Sequence, residues 1–136
     1  MLNVLIVDDD EIIQFHLNQL LLPLAHIRMA ANGRDGLARV EESLHGGERL
    51  HCVFMDIMMP GMNGLDTVRA MVHLFNVRNV PLEERPKIIM LSSMDERDTQ
   101  IDALYACGAD YFLSKPLDEP ALVKALGELG LIAPKE

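Results

Sequence analysis

Apolar residues along this chain follow two alternating patterns. Four short continuous runs, Val4-Leu5-Ile6-Val7, Cys52-Val53-Phe54-Met55, Ile88-Ile89-Met90-Leu91 and Tyr111-Phe112-Leu113, have the length and composition of strands covered on both faces. A fifth segment, His26-Ile27-Arg28-Met29-Ala30, alternates polar with apolar and reads as an edge strand. Between these segments the apolar positions change to helical spacing. Ile13, Leu17, Leu20 and Leu21 form one stripe before Pro23, Leu37, Val40 and Leu44 a second before Gly46-Gly47, and Leu65, Val68, Val72 and Phe75 a third. Ile101, Leu104 and Tyr105, stopped by Gly108, make a fourth, and Leu122, Ala125, Leu126 and Leu129 a fifth. Five repeats of strand then helix predict right-handed crossovers and a doubly wound α/β sandwich: a five-stranded parallel sheet flanked by five helices. The stretch 76–87, polar and punctuated by Pro81 and Pro86, is predicted to be a long loop and not a domain boundary.

Composition narrows the classes of function. At 136 residues the chain reads as one domain over 1–136. That length buries roughly two thirds of the unfolded surface without help from a disulfide or structural metal. The 21 acidic against 12 basic residues give a net charge of -9, the wrong sign for a phosphate backbone, so direct nucleic-acid binding is not expected. Cys52, inside an apolar run, and Cys107, before Gly108, lack metal-ligand spacing and read as buried thiols in a reducing compartment. Val4 to Val7 is too short for a signal sequence or membrane span, so a soluble cytoplasmic protein with no membrane partner is expected. His16, His26, His45, His51 and His73 show no ligand spacing and read as structural or surface residues.

The chemistry lies at the carboxyl ends of the strands. Asp8, Asp9 and Asp10 come directly after the first, Asp56 after the third, Ser92 and Ser93 after the fourth, and Lys115 after the fifth. In a sheet ordered 2-1-3-4-5, the first and third strands are neighbours and the crevice between them is the topological switch point, which would bring Asp8, Asp9 and Asp56 together. Two carboxylates about 5 Å apart repel by roughly 3 kcal/mol at an effective dielectric near 20, about two pKa units, so such a cluster calls for a cation. An oxygen-lined site incomplete in protein ligands suits Mg²⁺. Lys115 supplies a flexible point charge and Ser92 a hydroxyl donor. Together these are the parts needed for phosphoryl transfer to a carboxylate. Taken singly, each has a plainer reading. Asp8 to Glu11 could cap the first helix, Asp56 could be a turn residue before Pro60-Gly61, Ser92 a satisfied loop hydroxyl and Lys115 a surface lysine. Their joint recurrence at four strand ends favours the chemistry.

Four signatures in order, Val7-Asp8-Asp9-Asp10, the block from Asp56 through Pro60-Gly61-Met62-Asn63-Gly64, Met90-Leu91-Ser92-Ser93, and Gly108-Ala109-Asp110 leading to Ser114-Lys115-Pro116, carry a resemblance. On them the chain resembles the receiver domain of two-component response regulators, of the single-receiver chemotaxis type, over essentially its whole length. The resemblance implies a flavodoxin-like fold and a phosphoacceptor regulator, not an enzyme, that assists its own phosphorylation and dephosphorylation. It implies that Asp56 takes a phosphoryl group from a phosphohistidine of a sensor kinase or phosphotransfer protein, with Asp8, Asp9, Asp56 and the backbone carbonyl of Met58 holding Mg²⁺. Ser92 would then turn inward and Phe112, where Tyr is frequent, would move into the vacated space. This would change the face of the fourth helix, fifth strand and fifth helix toward a downstream effector, or toward a phosphorylation-dependent homodimer. The Lys115-Pro116 bond in such proteins is usually cis. Met58 and Met94 occupy positions that in the resembled family influence phosphoryl lifetime, and Met58, Met59 and Met62 could line a kinase-docking surface.

Two alternatives stand beside this. A haloacid-dehalogenase-like phosphatase would use Asp8 with Ser92 and Lys115, but its later acidic pair is missing and Asp56 would have no role. A receiver-like interaction module that is never phosphorylated is opposed by the complete set of acidic, hydroxyl and lysine positions.

Overall fold

Side chains of a strand alternate between its two faces, and here that alternation divides the interior into two cores. In a computed structural model, which describes residues 1–93 and 107–133, the strands are β1 (Leu2–Val7), β2 (Ala25–Ala30), β3 (Cys52–Asp56), β4 (Lys87–Ser92) and β5 (Tyr111–Ser114). They pair in parallel in the order β2-β1-β3-β4-β5. The helices are α1 (Glu11–Leu21), α2 (Gly33–His45), α3 (Gly64–Val77) and α4 (Glu119–Glu128), with a short 3-10 turn at Leu82–Glu84. Leu5, Val7, Val53, Met55, Ile88, Met90 and Phe112 face a core shared with Val40 of α2 and Val68, Met71 and Phe75 of α3. Val4, Ile6, Phe54, Ile89, Leu91 and Leu113 face the other, closed by Leu17 and Leu21 of α1 and Leu122, Ala125 and Leu126 of α4.

The doubly wound parallel sheet and its order agree with expectation, as does the edge position of β2. The fifth predicted helix is α4; the predicted fourth, with Ile101, Leu104 and Tyr105, lies outside the described residues, as does Met94. Cys52 and Cys107 are buried thiols in different cores, neither in a disulfide. No helix among the described residues is long and apolar enough to cross a membrane. The Lys115-Pro116 bond is cis.

The predicted long loop is present, trimmed to 78–86 between the end of α3 and the start of β4, and it is pinned by side chains. Arg85 donates to the Val80 carbonyl and to Asn76 Oδ1, both at 2.9 Å, with its guanidinium 5.8 Å from the centre of the Phe75 ring. From outside, Arg49 donates to the Glu83 carbonyl at 2.8 Å. Two guanidiniums thus hold in place a connection that looks loose because its fasteners are polar.

His51 fastens the sheet at the end where β3 begins. Its N–H donates to the Asn3 carbonyl, its carbonyl accepts from Lys87 N–H, and its ring Nδ1 accepts from Asn3 N–H, each at 2.9 Å. Burial, then the neighbouring Arg49 guanidinium and the amino terminus, hold the imidazole pKa below its ordinary 6.5. The unfolded chain therefore binds more protons between the two values. The ring's contribution to stability is full above about 6.5 and is lost as pH falls through that value toward the folded pKa. His51→Leu is expected to cost most stability above about pH 7 and progressively less toward about pH 5, measured as the gap in urea unfolding between the two proteins at each pH. A gap that widens on acidification would contradict this assignment.

Candidate functional site

Four strands deliver residues at or just past their carboxyl ends to one rim of the sheet. Asp8 follows β1, Asp56 closes β3, Ser92 closes β4 and Lys115 follows β5. Register sets their neighbourhood: Val7 lies beside Met55, Asp56 beside Leu91, and Ser92 beside Ser114. Lys115 N–H extends the ladder to the Ser92 carbonyl at 2.7 Å.

The three consecutive acids divide into separate tasks. Asp10 caps α1, accepting from Ile12 N–H at 2.9 Å, so capping accounts for that residue and not for the others. Asp8 is completely buried, and its Oδ1 accepts from Asp10 N–H at 2.9 Å. Asp9 is exposed. Carboxylate oxygens of Asp8, Asp9 and Asp56 lie within 4.8 Å of one another. Lys115 Nζ sits 3.1 Å from Asp56 Oδ1 and 3.2 Å from Asp8 Oδ2.

Burial first, then the charge of Asp8, pushes the Asp56 carboxyl up to about 7 against the pull of Lys115. Burial likewise raises Asp8, opposed by the Asp10 N–H and by Lys115. For Lys115, burial favours losing the proton, but Asp56 and Asp8 together outweigh it and hold the ammonium above its usual range.

Among the described residues, two buried side-chain oxygens are left without a hydrogen bond, Asp8 Oδ2 and Ser92 Oγ. The first is close enough to Lys115 for an ion pair but not aligned for a hydrogen bond. Asp8 Oδ2 sits beside one ammonium shared between two carboxylates, and a buried polar atom without a partner calls for an explanation. Hard oxygen donors converging around an incompletely satisfied carboxylate suit Mg²⁺, which takes one or two carboxylates and keeps several waters.

The loop after β3 depends on two glycines. Gly64, the first residue of α3, donates to the Ile57 carbonyl at 2.8 Å, and a Cβ there would overlap the Asp56 carbonyl oxygen. Gly33 opens α2 equally tightly, with no room for a Cβ against Thr67 Oγ1 of α3. Both stand in the same Asn-Gly-x-Asp pattern, in which Asn32 and Asn63 accept from Asp35 and Asp66 N–H at 2.9 Å. Sequence reasoning passed over this repeat, although its spacing was visible.

Phe112 is buried beside Met90 on the face of α2 and α3. Of the three loop methionines, Met58 is 60% exposed, Met59 is buried and Met62 is half-buried. The exposed side of α1 adds a feature the inward stripe concealed: Ile12 at 77%, Phe15 at 64% and, just past its end, Leu22 at 51% exposure.

Asp56 yields a pH prediction. Its folded pKa of about 7 lies above its ordinary 3.8, so ionising it costs stability as pH rises through that window, in full above about 7. In chelator, Asp56→Asn is expected to raise stability at about pH 8 by on the order of 2 kcal/mol and to change it little near pH 4, read from denaturant unfolding. A gain larger at the acidic end would exclude a disfavoured buried carboxylate.

Comparison with known proteins agrees with this geometry. The profile of the response regulator receiver domain matches residues 4–127. Protein PilH of Pseudomonas aeruginosa is 30% identical over 127 residues, covering 93% of this chain and 95% of PilH. The structure of Vibrio cholerae chemotaxis protein CheY4 superposes with a TM-score of 0.77 at 27% identity, covering 95% of this chain and 98% of that one. A co-crystal structure of the Saccharomyces cerevisiae histidine phosphotransfer signalling protein Ypd1 and the receiver domain of its downstream response regulator Ssk1 gives 0.76 at 25% identity, covering 95% and 88%.

Proposed function

The chain belongs to the response regulator receiver domains of phosphorylation-based signalling, and from that premise we propose that Asp56 is its phosphoacceptor. The observation that carries this is Asp56 itself: a buried carboxylate at a strand end, 3.1 Å from Lys115, with the unpartnered Oγ of Ser92 at the end of the neighbouring strand β4. An oxygen of Asp56 attacks the phosphorus of a phosphohistidine. The P–N bond breaks, its electron pair goes to the imidazole, and an acyl phosphate forms. Lys115 holds its charge against the carboxylate before transfer and against a phosphoryl oxygen after it. Ser92 Oγ donates to another, gaining the hydrogen bond it lacks. Asp8, Asp9, Asp56 and the Met58 carbonyl would hold Mg²⁺, which when bound offsets the negative charge of acids and phosphate.

The partner that brings the phosphoryl group is a sensor kinase or a histidine phosphotransfer protein. The exposed apolar side chains of Ile12, Phe15 and Met58, close in sequence to Asp9 and Asp56, support docking beside the acidic rim. Output runs from Phe112, buried on the α3 side of the edge strand β5, to the surface that β5 makes with α4 through Leu113 on its other side. That surface engages an effector or a second phosphorylated copy. The matched profile, spanning nearly all of the chain, supports one receiver domain over 1–136. An Asp8-based phosphatase is disfavoured because Asp8 is wholly buried and its Oδ1 is already bound to Asp10 N–H.

Incubation with a small phosphodonor and Mg²⁺ is expected to add about 80 Da, one phosphoryl group, on Asp56, and the product is lost in Asp56→Asn and in chelator. An adduct that survives Asp56→Asn but not Asp8→Asn would install the phosphatase alternative; no adduct at all would favour the interaction module. Ser92→Ala is expected to be labelled but to lose most phosphorylation-dependent partner binding, measured by titration of the labelled protein; unchanged binding would refute the switch.

A further inference from the structure

Asp8 is hydrogen-bonded at every polar atom except one. Its N–H donates to the Ala30 carbonyl at 3.1 Å, and its Oδ1 accepts from Asp10 N–H at 2.9 Å. Its carbonyl oxygen accepts from the side-chain Nε2 of Gln14 at 2.6 Å. Only Oδ2, beside Lys115, is left over. Gln14 belongs to none of the signature segments. It lies four residues past the cap of α1 and makes the ordinary helical bond from its own N–H to the Asp10 carbonyl at 3.1 Å. Its side chain instead reaches back out of the helix to the turn that precedes it.

The carbonyl that Gln14 holds belongs to the peptide joining Asp8 to Asp9. A peptide is planar, so fixing its C=O also fixes its N–H and the direction in which the Asp9 backbone leaves. Asp8 has burial and the sheet to place it. Asp9 is exposed and depends on the turn. The convergence of Asp8, Asp9 and Asp56 within 4.8 Å therefore requires that peptide plane to stay where it is.

We infer that Gln14 is a positioning residue for divalent-cation binding, locking the Asp8-Asp9 peptide so that the two carboxylates stay aimed at one point with Asp56. The inference rests on the proposed reading of the acidic cluster as a Mg²⁺ site. Without the Gln14 amide the Asp8 carbonyl turns toward water, the peptide gains rotational freedom, and Asp9 must be ordered again each time the ion binds. Orienting hydrogen bonds behind a ligand commonly contribute tenfold or more to metal affinity.

The test is calorimetric titration of Mg²⁺ into the full chain and two variants, with thermal unfolding of each in chelator. Gln14→Met keeps the length and helix preference and removes the amide. Gln14→Glu keeps the shape but turns an acceptor toward the Asp8 carbonyl, and adds a negative charge that on Coulombic grounds alone would tighten cation binding. Both are expected to bind Mg²⁺ about tenfold more weakly than the parent while unfolding cooperatively in chelator. In small-phosphodonor labelling the half-saturating Mg²⁺ concentration is expected to rise by the same factor with the plateau rate retained. Affinity in Gln14→Met within about twofold of the parent, or tighter binding in Gln14→Glu, overturns the role of Gln14. Failure of the parent itself to bind Mg²⁺ overturns both this role and the acidic-site reading, and is told apart by the parent titration alone.

Discussion

Lys115 reaches two buried carboxylates whose strands are hydrogen-bonded neighbours, and the rest of the rim is arranged around that contact. Asp8 and Asp56 cannot both ionise in a dry crevice unless something positive stands between them. The cation comes from the far edge of the sheet, across β4, so all the central strands must be in register for it to arrive. This is why the parallel order matters for chemistry as much as for packing. A slip of one residue in β5 would exchange Lys115 for a neighbour and turn every alternate side chain to the wrong core.

The same contact makes the rim a local weakness in an otherwise apolar structure. Asp56 is held at a pKa near neutrality by burial and by Asp8, and the ammonium offsets only part of that. Ser92 Oγ and Asp8 Oδ2 add buried oxygens without hydrogen bonds. These are costs that the two apolar cores must outweigh. Backbone anchors contain them: Gly64 seats α3 against the Asp56 peptide, and Asp10 N–H and Gln14 grip Asp8 from two sides. The rim is electrostatically uncomfortable but geometrically fixed, a combination characteristic of sites tuned for function.

How much of this could be read from the chain depended on the range of the interactions. Strands and helices follow local periodicity, and continuous runs such as Ile88 to Leu91 announce burial on both faces without reference to anything distant. The rim acids and Lys115 were legible because strand ends are predictable and the signatures stand directly after them. The loop over 76–87 was legible but its anchoring was not, because its fasteners are an arginine at its own far end and another, Arg49, in a different connection. His51 and Gln14 escaped for a related reason. Neither residue type announces a long-range or backward hydrogen bond, and nothing in the spacing from Asn3 to His51 or from Asp8 to Gln14 distinguishes these pairs from accidental ones. The Asn-Gly-x-Asp repeat was visible as capping, but the need for glycine there comes from how closely α2 and α3 approach each other and β3, which only the assembled layers reveal.

On the proposed reading, the unsatisfied atoms explain why a small covalent change can have a distant effect. A phosphoryl group on Asp56 brings oxygens to the place where an ammonium already sits and a hydroxyl lacks a partner. The new bonds therefore form without first breaking old ones at Ser92, and nearly their whole strength is available to bias the fold toward one packing. Ser92 and Lys115 terminate adjacent strands and share a backbone hydrogen bond of 2.7 Å, so a pull on either is felt by both. Phe112, three residues before Lys115 and packed in the core between the sheet and α3, is where that pull meets side chains that must move together. A switch of this kind needs no large motion at the rim. It needs only that the resting state leave a strong interaction unmade, which the buried Ser92 hydroxyl does.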